Sequence, residues 1–247
     1  MNTISTKVLR DILSRCSEYV PVLKETCSEW NQILSDKSVA RVILSLKQVA
    51  DRGHIDLLGH IGRDKIDAKR IPNILCQAAK KGHLNIMILA KEWGATNYNE
   101  ALKSAAEGGQ IEAMRLLKKW RATKYDFALV SAAKSGQIAA MQLLKKWGAD
   151  SYDLPFDRAT QNGQIPAMHL LKEWGATHYD NALITAARNG QISAMHLLKE
   201  WGATNYNQAL THATACEQIA AVQLLKEWGA VEWLLPDYLL EQFASTY

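Results

Sequence analysis

Residues 178–204 read HYDNALITAARNGQISAMHLLKEWGAT, and this stretch decides the fold. Ala182, Leu183, Ala186, Ala187 and Gly190 recur at three- and four-residue spacings, which puts them on one face of a helix. Three of the five are alanine, so a second helix can approach that face closely. Gly190 ends the helix, because glycine takes the left-handed C-terminal conformation cheaply. A second helix starts at Gln191, turns Ile192, Met195, Leu197 and Leu198 toward its neighbours, and stops at Trp201-Gly202-Ala203. Asp180 precedes the Ala/Leu-rich run and is expected to cap the first helix by accepting from a free backbone N–H. No period-two alternation appears, so the unit is helix–turn–helix.

Outward from this stretch the pattern repeats. Trp93, Trp120, Trp147, Trp174, Trp201 and Trp228 are each 27 residues apart. The same step orders Tyr98, Tyr125, Tyr152, Tyr179 and Tyr206, and Gln110, Gln137, Gln164, Gln191 and Gln218. Met87, Met114, Met141, Met168 and Met195 form another column, ending in Val222, and Lys91, Lys118, Lys145, Lys172, Lys199 and Lys226 a further one. An Asx column (Asn99, Asp126, Asp153, Asp180, Asn207) follows the tyrosines. Such self-similarity is the mark of a repeat array. Pro155 and Pro166 fall in first turns, where a missing N–H costs little. Seven units centre on positions 53, 82, 109, 136, 163, 190 and 217, so the repeats are expected over 36–230. The last is degraded, with Thr214 for the second alanine and Glu217 for the glycine, as end repeats often are. Residues 231–247 read as a cap helix.

Composition agrees with an ordinary folded chain: 48% of the 247 residues are hydrophobic and 22% charged, outside the disordered range. The 8 tryptophans against 3 phenylalanines are explained by the repeat, which uses six of them. Net charge is +4, split as zero over residues 1–35, +5 over 36–83 and −1 over 84–247, which is too little to argue for nucleic acid. No window reaches 18 apolar residues, and the opening MNTISTKVLRD lacks a signal-peptide core, so an intracellular protein is expected. Cys16, Cys27, Cys76 and Cys216 lie far apart and suit reduced thiols, not a disulfide framework or zinc site.

The pattern A-A-x-x-G-[HQ]-[IL]-x-x-[MV]-x-L-L, ending in W-G-A, resembles the ankyrin repeat. Ala78-Ala79, Gly82-His83-Leu84, Leu197-Leu198 and Gly202-Ala203 carry the likeness. Two features depart from it. The step is 27 residues instead of about 33, and the shortfall lies between G-A-T and the next helix, where an ankyrin repeat builds its β-hairpin finger. The Thr-Pro-Leu-His box survives only in Leu154-Pro155-Phe156. Fingerless short arrays ending in W-G-A resemble those of giant DNA viruses of amoebae, of the Marseillevirus type. The resemblance implies an all-α, ankyrin-like helix–turn–helix solenoid, a monomer whose partners are proteins, with no enzyme activity and no cofactor.

Residues 1–35 do not follow the repeat. Their apolar spacing suggests two or three short helices. They resemble the F-box, with Val8-Leu9, Ile12-Leu13, Leu23, Cys27, Trp30 and Ile33 at matching positions. Ile4-Ser5 replaces its opening Leu-Pro, and Thr26 the valine before the cysteine. The resemblance implies docking on a Skp-type adaptor of a cullin–RING ubiquitin ligase through Val8, Leu9, Ile12, Leu13, Leu23, Trp30 and Ile33. A plain helical cap for the array is the alternative.

Several columns invite a chemical reading. The tryptophans could stack bases, but each lies at an apolar helix end before a turn, which suits packing between repeats. The lysines could track phosphates, yet Glu92, Glu173, Glu200 and Glu227 follow four of them directly. A doubly basic patch remains at Arg115, Lys118, Lys119, Arg121, Lys145 and Lys146 and carries a third, nucleic-acid reading. His169 and His196 are equivalent positions in adjacent repeats but have no carboxylate or cysteine column beside them to complete a metal site. The cluster Arg63, Lys65, Lys69, Arg70, Lys80 and Lys81 is diluted by Asp64 and Asp67, and reads as a solvated connector. Phosphate-loop, nucleophile-elbow and zinc-helix fingerprints are absent.

The differences between copies say more. On the first helices Leu102, Ala105, Ala106 and their equivalents hardly change, while the opposite stripe varies. One column reads Glu100, Phe127, Leu154, Asn181, Gln208; the next Lys103, Val130, Asp157, Ile184, Thr211; a third Glu107, Lys134, Gln161, Arg188, Ala215. A fixed scaffold with a varied stripe is how a repeat array presents a binding surface. Phe127, Val130, Leu154 and Ile184 would give that surface an apolar centre within a polar rim. The expected function is a protein–protein adaptor that recruits a host target to the ligase. A scaffold or virion-associated protein without a ubiquitin role is the alternative.

Overall fold

A computed structural model describes residues 67–231 of the chain. Residues 1–66 and 232–247 lie outside that range, and with them the F-box-like segment, the unit centred on 53 and the expected cap. The described residues fall into two units that divide after Lys124.

In the first unit a short 3-10 turn, Ala68–Arg70, leads into α1 (Ile71–Lys81) and α2 (Leu84–Glu92), then α3 (Tyr98–Glu107) and α4 (Ile111–Lys119). The second unit holds α5 (Tyr125–Lys134), α6 (Ile138–Lys146), α7 (Asp153–Gln161), α8 (Ile165–Glu173), α9 (Tyr179–Arg188), α10 (Ile192–Glu200), α11 (Tyr206–Ala215) and α12 (Ile219–Glu227). No strand occurs among the described residues. Each odd-numbered helix forms a hairpin with the next one. First helices stack directly on first helices: α1 on α3 in the first unit, and α5, α7, α9 and α11 in succession in the second.

The core lies between the two helices of each hairpin and along the first-helix stack. Ala182, Leu183, Ala186 and Ala187 are fully buried, as are Ala194, Met195 and Leu198 of the facing helix. Small alanines at the contact let the first helices approach one another, since interaxial distance follows side-chain size. Thr160 stands where most copies have alanine; it is completely buried and its hydroxyl has no partner.

The helices of the hairpins end in a left-handed residue, mostly glycine, with Arg121 (φ 69°) after α4 and Glu217 (φ 55°) after α11 in its place. Gly190 takes φ 64°, with Gln191 N–H donating to Ala186 O at 2.9 Å; Gly202 takes φ 97°, with Ala203 N–H donating to Leu198 O at 2.9 Å. These are the six-to-one bonds of a left-handed helix terminus. Only residues 201–205 separate α10 from α11, so no hairpin finger fits between repeats. Pro155 and Pro166 lie in the first turns of α7 and α8, as their spacing predicts. Gln191 is the cap residue of α10, one position before the helix begins.

The Asx column departs from its expected role. His178 is the N-cap residue of α9, and Asp180 is already inside the helix, with no side-chain capping bond made there. Asp180 Oδ1 instead accepts from the backbone N–H groups of Thr204 and Asn205 in the next loop, at 2.7 and 2.9 Å. Asn99 does the same for Thr123 and Lys124, Asp126 for Asp150 and Ser151, Asp153 for Thr177, and Asn207 for Val231. Except in α7, where Tyr152 is the cap residue, the helix-starting residue is the tyrosine, so the Asx oxygen points to the following loop, whose N–H groups lack intrahelical partners where a helix follows. Its column joins consecutive repeats.

Candidate functional site

The varied stripe lies on the solvent side of the first helices. In the first unit it is charged. Glu100 and Lys103 are exposed, and Glu107 pairs with Lys80 of α1 at 2.9 Å. In the second unit its centre is apolar. Phe127 on α5 is 63% exposed and Leu154 on α7 is 47% exposed, with Val130 and Ile184 half-buried beside them. Large exposed apolar side chains in one place mark interaction surfaces more reliably than single ones do.

Polar groups rim this centre. Lys134 is exposed; Arg158 Nη1 donates to Gln161 Oε1 at 2.9 Å; Arg188 Nη2 lies 3.1 Å from His212 Nδ1. Asn181 is exposed, Asn205 donates to Gln208 Oε1 at 2.7 Å, and Thr211 Oγ1 donates to Asn207 O at 3.1 Å. Asp157 is the exception. Its Oδ1 is buried without a hydrogen-bond partner, and burial pushes its carboxyl above the ordinary carboxylate range. His178 and Arg158 pull it back in part, while Asp153 pushes it further up. His178 Nε2 is itself 3.6 Å from Asp153 Oδ2.

The columns of identical residues form a seam. Tyr179 meets Trp201 at 5.9 Å between ring centroids, and Tyr98, Tyr152 and Tyr206 meet their own tryptophans at 5.5 to 5.6 Å. The preceding repeat adds a lysine over each indole: Lys91 over Trp120 at 4.8 Å, Lys145 over Trp174 at 4.5 Å, Lys172 over Trp201 at 4.4 Å and Lys199 over Trp228 at 4.5 Å. His169 and His196 stack edge-on against Trp201 and Trp228, not on each other. The expected packing role of the tryptophans is therefore what the structure shows. The lysines differ from the expected solvated face, because each ammonium named here sits on an indole of the next repeat.

Gln110, Gln164, Gln191 and Gln218 complete the seam. Each lays its amide against the glycine of the preceding repeat (Gly82, Gly136, Gly163 and Gly190), occupying the space a Cβ there would need. Glu217 takes the same left-handed backbone, φ 55°, in place of the glycine.

Among the described residues no group of three His, Cys, Asp or Glu could hold a metal, and no helix is long and apolar enough to cross a membrane. Cys76 is half-buried, accepts from Asn97 Nδ2 at 3.2 Å and has its thiol pushed up by burial; Cys216 is exposed. Arg115 pairs with Glu112 at 3.5 Å, and Lys145 is engaged by Trp174. Of the basic connector, Lys69 and Lys81 are exposed, while Arg63 and Lys65 lie outside the described residues. Val8, Leu9, Ile12, Leu13, Leu23, Trp30 and Ile33 lie outside them too.

Stacked helical hairpins closed by glycine, with a varied exposed stripe, define an ankyrin-type helical repeat. Solved structures agree: the human ASB11 ankyrin repeat domain superimposes with a TM-score of 0.52 at 22% sequence identity, over 73% of this chain and 96% of that one. The likeness establishes the fold. No protein-family model and no curated protein sequence matches the chain.

Proposed function

We propose that the protein is a non-enzymatic interaction scaffold that holds a protein partner on the exposed stripe of its first helices. One observation carries this reading: buried positions of the repeat stay constant, while the exposed stripe varies and becomes apolar at Phe127 and Leu154. Constancy is what packing demands. The departures fall on the face that packing leaves open. The test is comparative capture from cell extract with the full chain and its F127S/L154S variant. The expected result is a bound protein retained by the parent and lost by the variant, with both chains melting alike. Identical captures by the two chains would overturn the stripe as a binding surface.

A finer reading adds the ubiquitin system. Residues 1–35 would dock on a Skp-type adaptor through Leu13, Trp30 and their neighbours, and the stripe would hold the target beside the ligase. Its mechanism is proximity, which raises the effective concentration of target at the ligase. The F-box-like spacing supports it, and the giant-virus resemblance sets it in the cytoplasm or nucleus of a host cell. A purified Skp-type adaptor should bind the intact chain and lose binding to L13A/W30A. Failure to bind the intact chain would remove the ligase role and leave the scaffold, virion-associated or otherwise.

A further inference from the structure

The step of 27 residues places Asp157 of α7 level with Val130 of α5 and Ile184 of α9, and those three helices stack directly on one another. Leu154 lies one turn earlier on the same face of α7. The acid therefore stands among apolar side chains at the centre of the stripe, with Phe127 and Leu154 protruding beside it. Its Oδ1 is buried and receives no hydrogen bond. The two groups that draw its carboxyl back down are engaged elsewhere: Arg158 donates to Gln161, and His178 faces Asp153.

A partner that covered this patch with apolar groups alone would strip the remaining water from a carboxylate that has no donor of its own. Leaving a charge buried and unpaired is one of the most unfavourable outcomes at an interface. Only a partner bringing a donor avoids that cost, and a cationic donor gains most, because charge-assisted hydrogen bonds strengthen as water leaves. This rests on the scaffold reading above and specifies its partner. We propose that the patch takes an amphipathic segment of a partner protein, with apolar side chains against Phe127 and Leu154 and an arginine or lysine on Asp157.

The test uses random linear peptides displayed on phage, selected against the full chain and then measured singly. Enriched peptides are expected to pair a basic residue with nearby apolar ones. Each should lose about tenfold or more in affinity on D157N. Replacing its basic residue with alanine, or arginine with citrulline, should cost a similar factor, and the two changes together little more. The same peptides should lose binding to F127S/L154S. Peptides that depend on Phe127 and Leu154 but bind D157N equally well, for example by accepting a hydrogen bond from a neutral Asp157, would overturn the cation assignment and leave the scaffold reading intact. A selection whose peptides all ignore F127S/L154S, or that enriches none, would overturn both.

Discussion

Asp180 and Asn181 are neighbours on α9, yet they belong to different parts of the molecule. Asp180 turns toward the following loop and accepts two of its backbone N–H groups, so it is part of the seam that joins repeats. Asn181 turns to solvent, in the stripe where no two copies agree except by chance. The seam repeats its residues because each must match the same partner one repeat on: Asx to loop, glutamine to glycine, lysine to indole. Along the stripe no internal partner imposes a choice. Repetition in this chain therefore marks contact between copies, and variation marks surface that is open to something else.

The largest effect should come from a glycine of the seam that its glutamine covers. Gly163 combines φ 62° with a Cβ position filled by the Gln191 side chain, so Gly163→Ala meets both a left-handed backbone and a steric conflict. A loss of about 2 kcal/mol is expected from denaturant unfolding. Glu217 shows that a non-glycine residue can hold this backbone, at φ 55°. If Gly163→Ala unfolds no more easily than the parent, glutamine cover is not a constraint and the seam is looser than its geometry implies.

This contrast was only partly legible in the sequence. The hairpins, the glycine ends, the absence of fingers and the first-helix stripe follow from spacing, because a 3.6-residue period and a 27-residue step fix which residues face inward. The partners across the seam do not follow, because spacing states that positions are equivalent without stating what they touch. The Asx residues illustrate this. Their place before an Ala/Leu run suits an N-cap, but the helix starts at the tyrosine, and a shift of about two residues is ordinary for helix ends. That shift turns a local cap into a bond between repeats. The lysine column likewise looks like solvated surface until the next indole is placed beneath it. Asp157 was visible only as one polar residue in a varied column; its lack of a donor depends on which neighbours Arg158 and His178 choose.

A smaller effect is expected where the comparison is drawn most closely. Asp180→Ala removes two hydrogen bonds made by a charged acceptor at an exposed site and should cost about 1 kcal/mol. Asn181→Ala, one residue on, should stay within about 0.5 kcal/mol of the parent, as surface changes without a partner do. Equal losses at the two positions would erase the distinction between seam and stripe on this helix.

The smallest effect tests whether the lysines belong to the seam at all. Lys172 holds its ammonium 4.4 Å from the Trp201 ring centroid, and Lys172→Met keeps an apolar stem over the indole while deleting the charge. An exposed cation–π contact is worth about 0.5 kcal/mol, so the loss should be near that size. Salt sharpens the result: a contact made at one ring face should survive added salt better than long-range attraction between solvated charges, which is screened. Lys146 lies on α6 at the exposed end of the neighbouring doubly basic pair and serves as the control, since Lys146→Met removes an equal charge. If both substitutions cost the same and both losses vanish in salt, the lysine column acts only through net charge, and its regular step reflects nothing held between repeats.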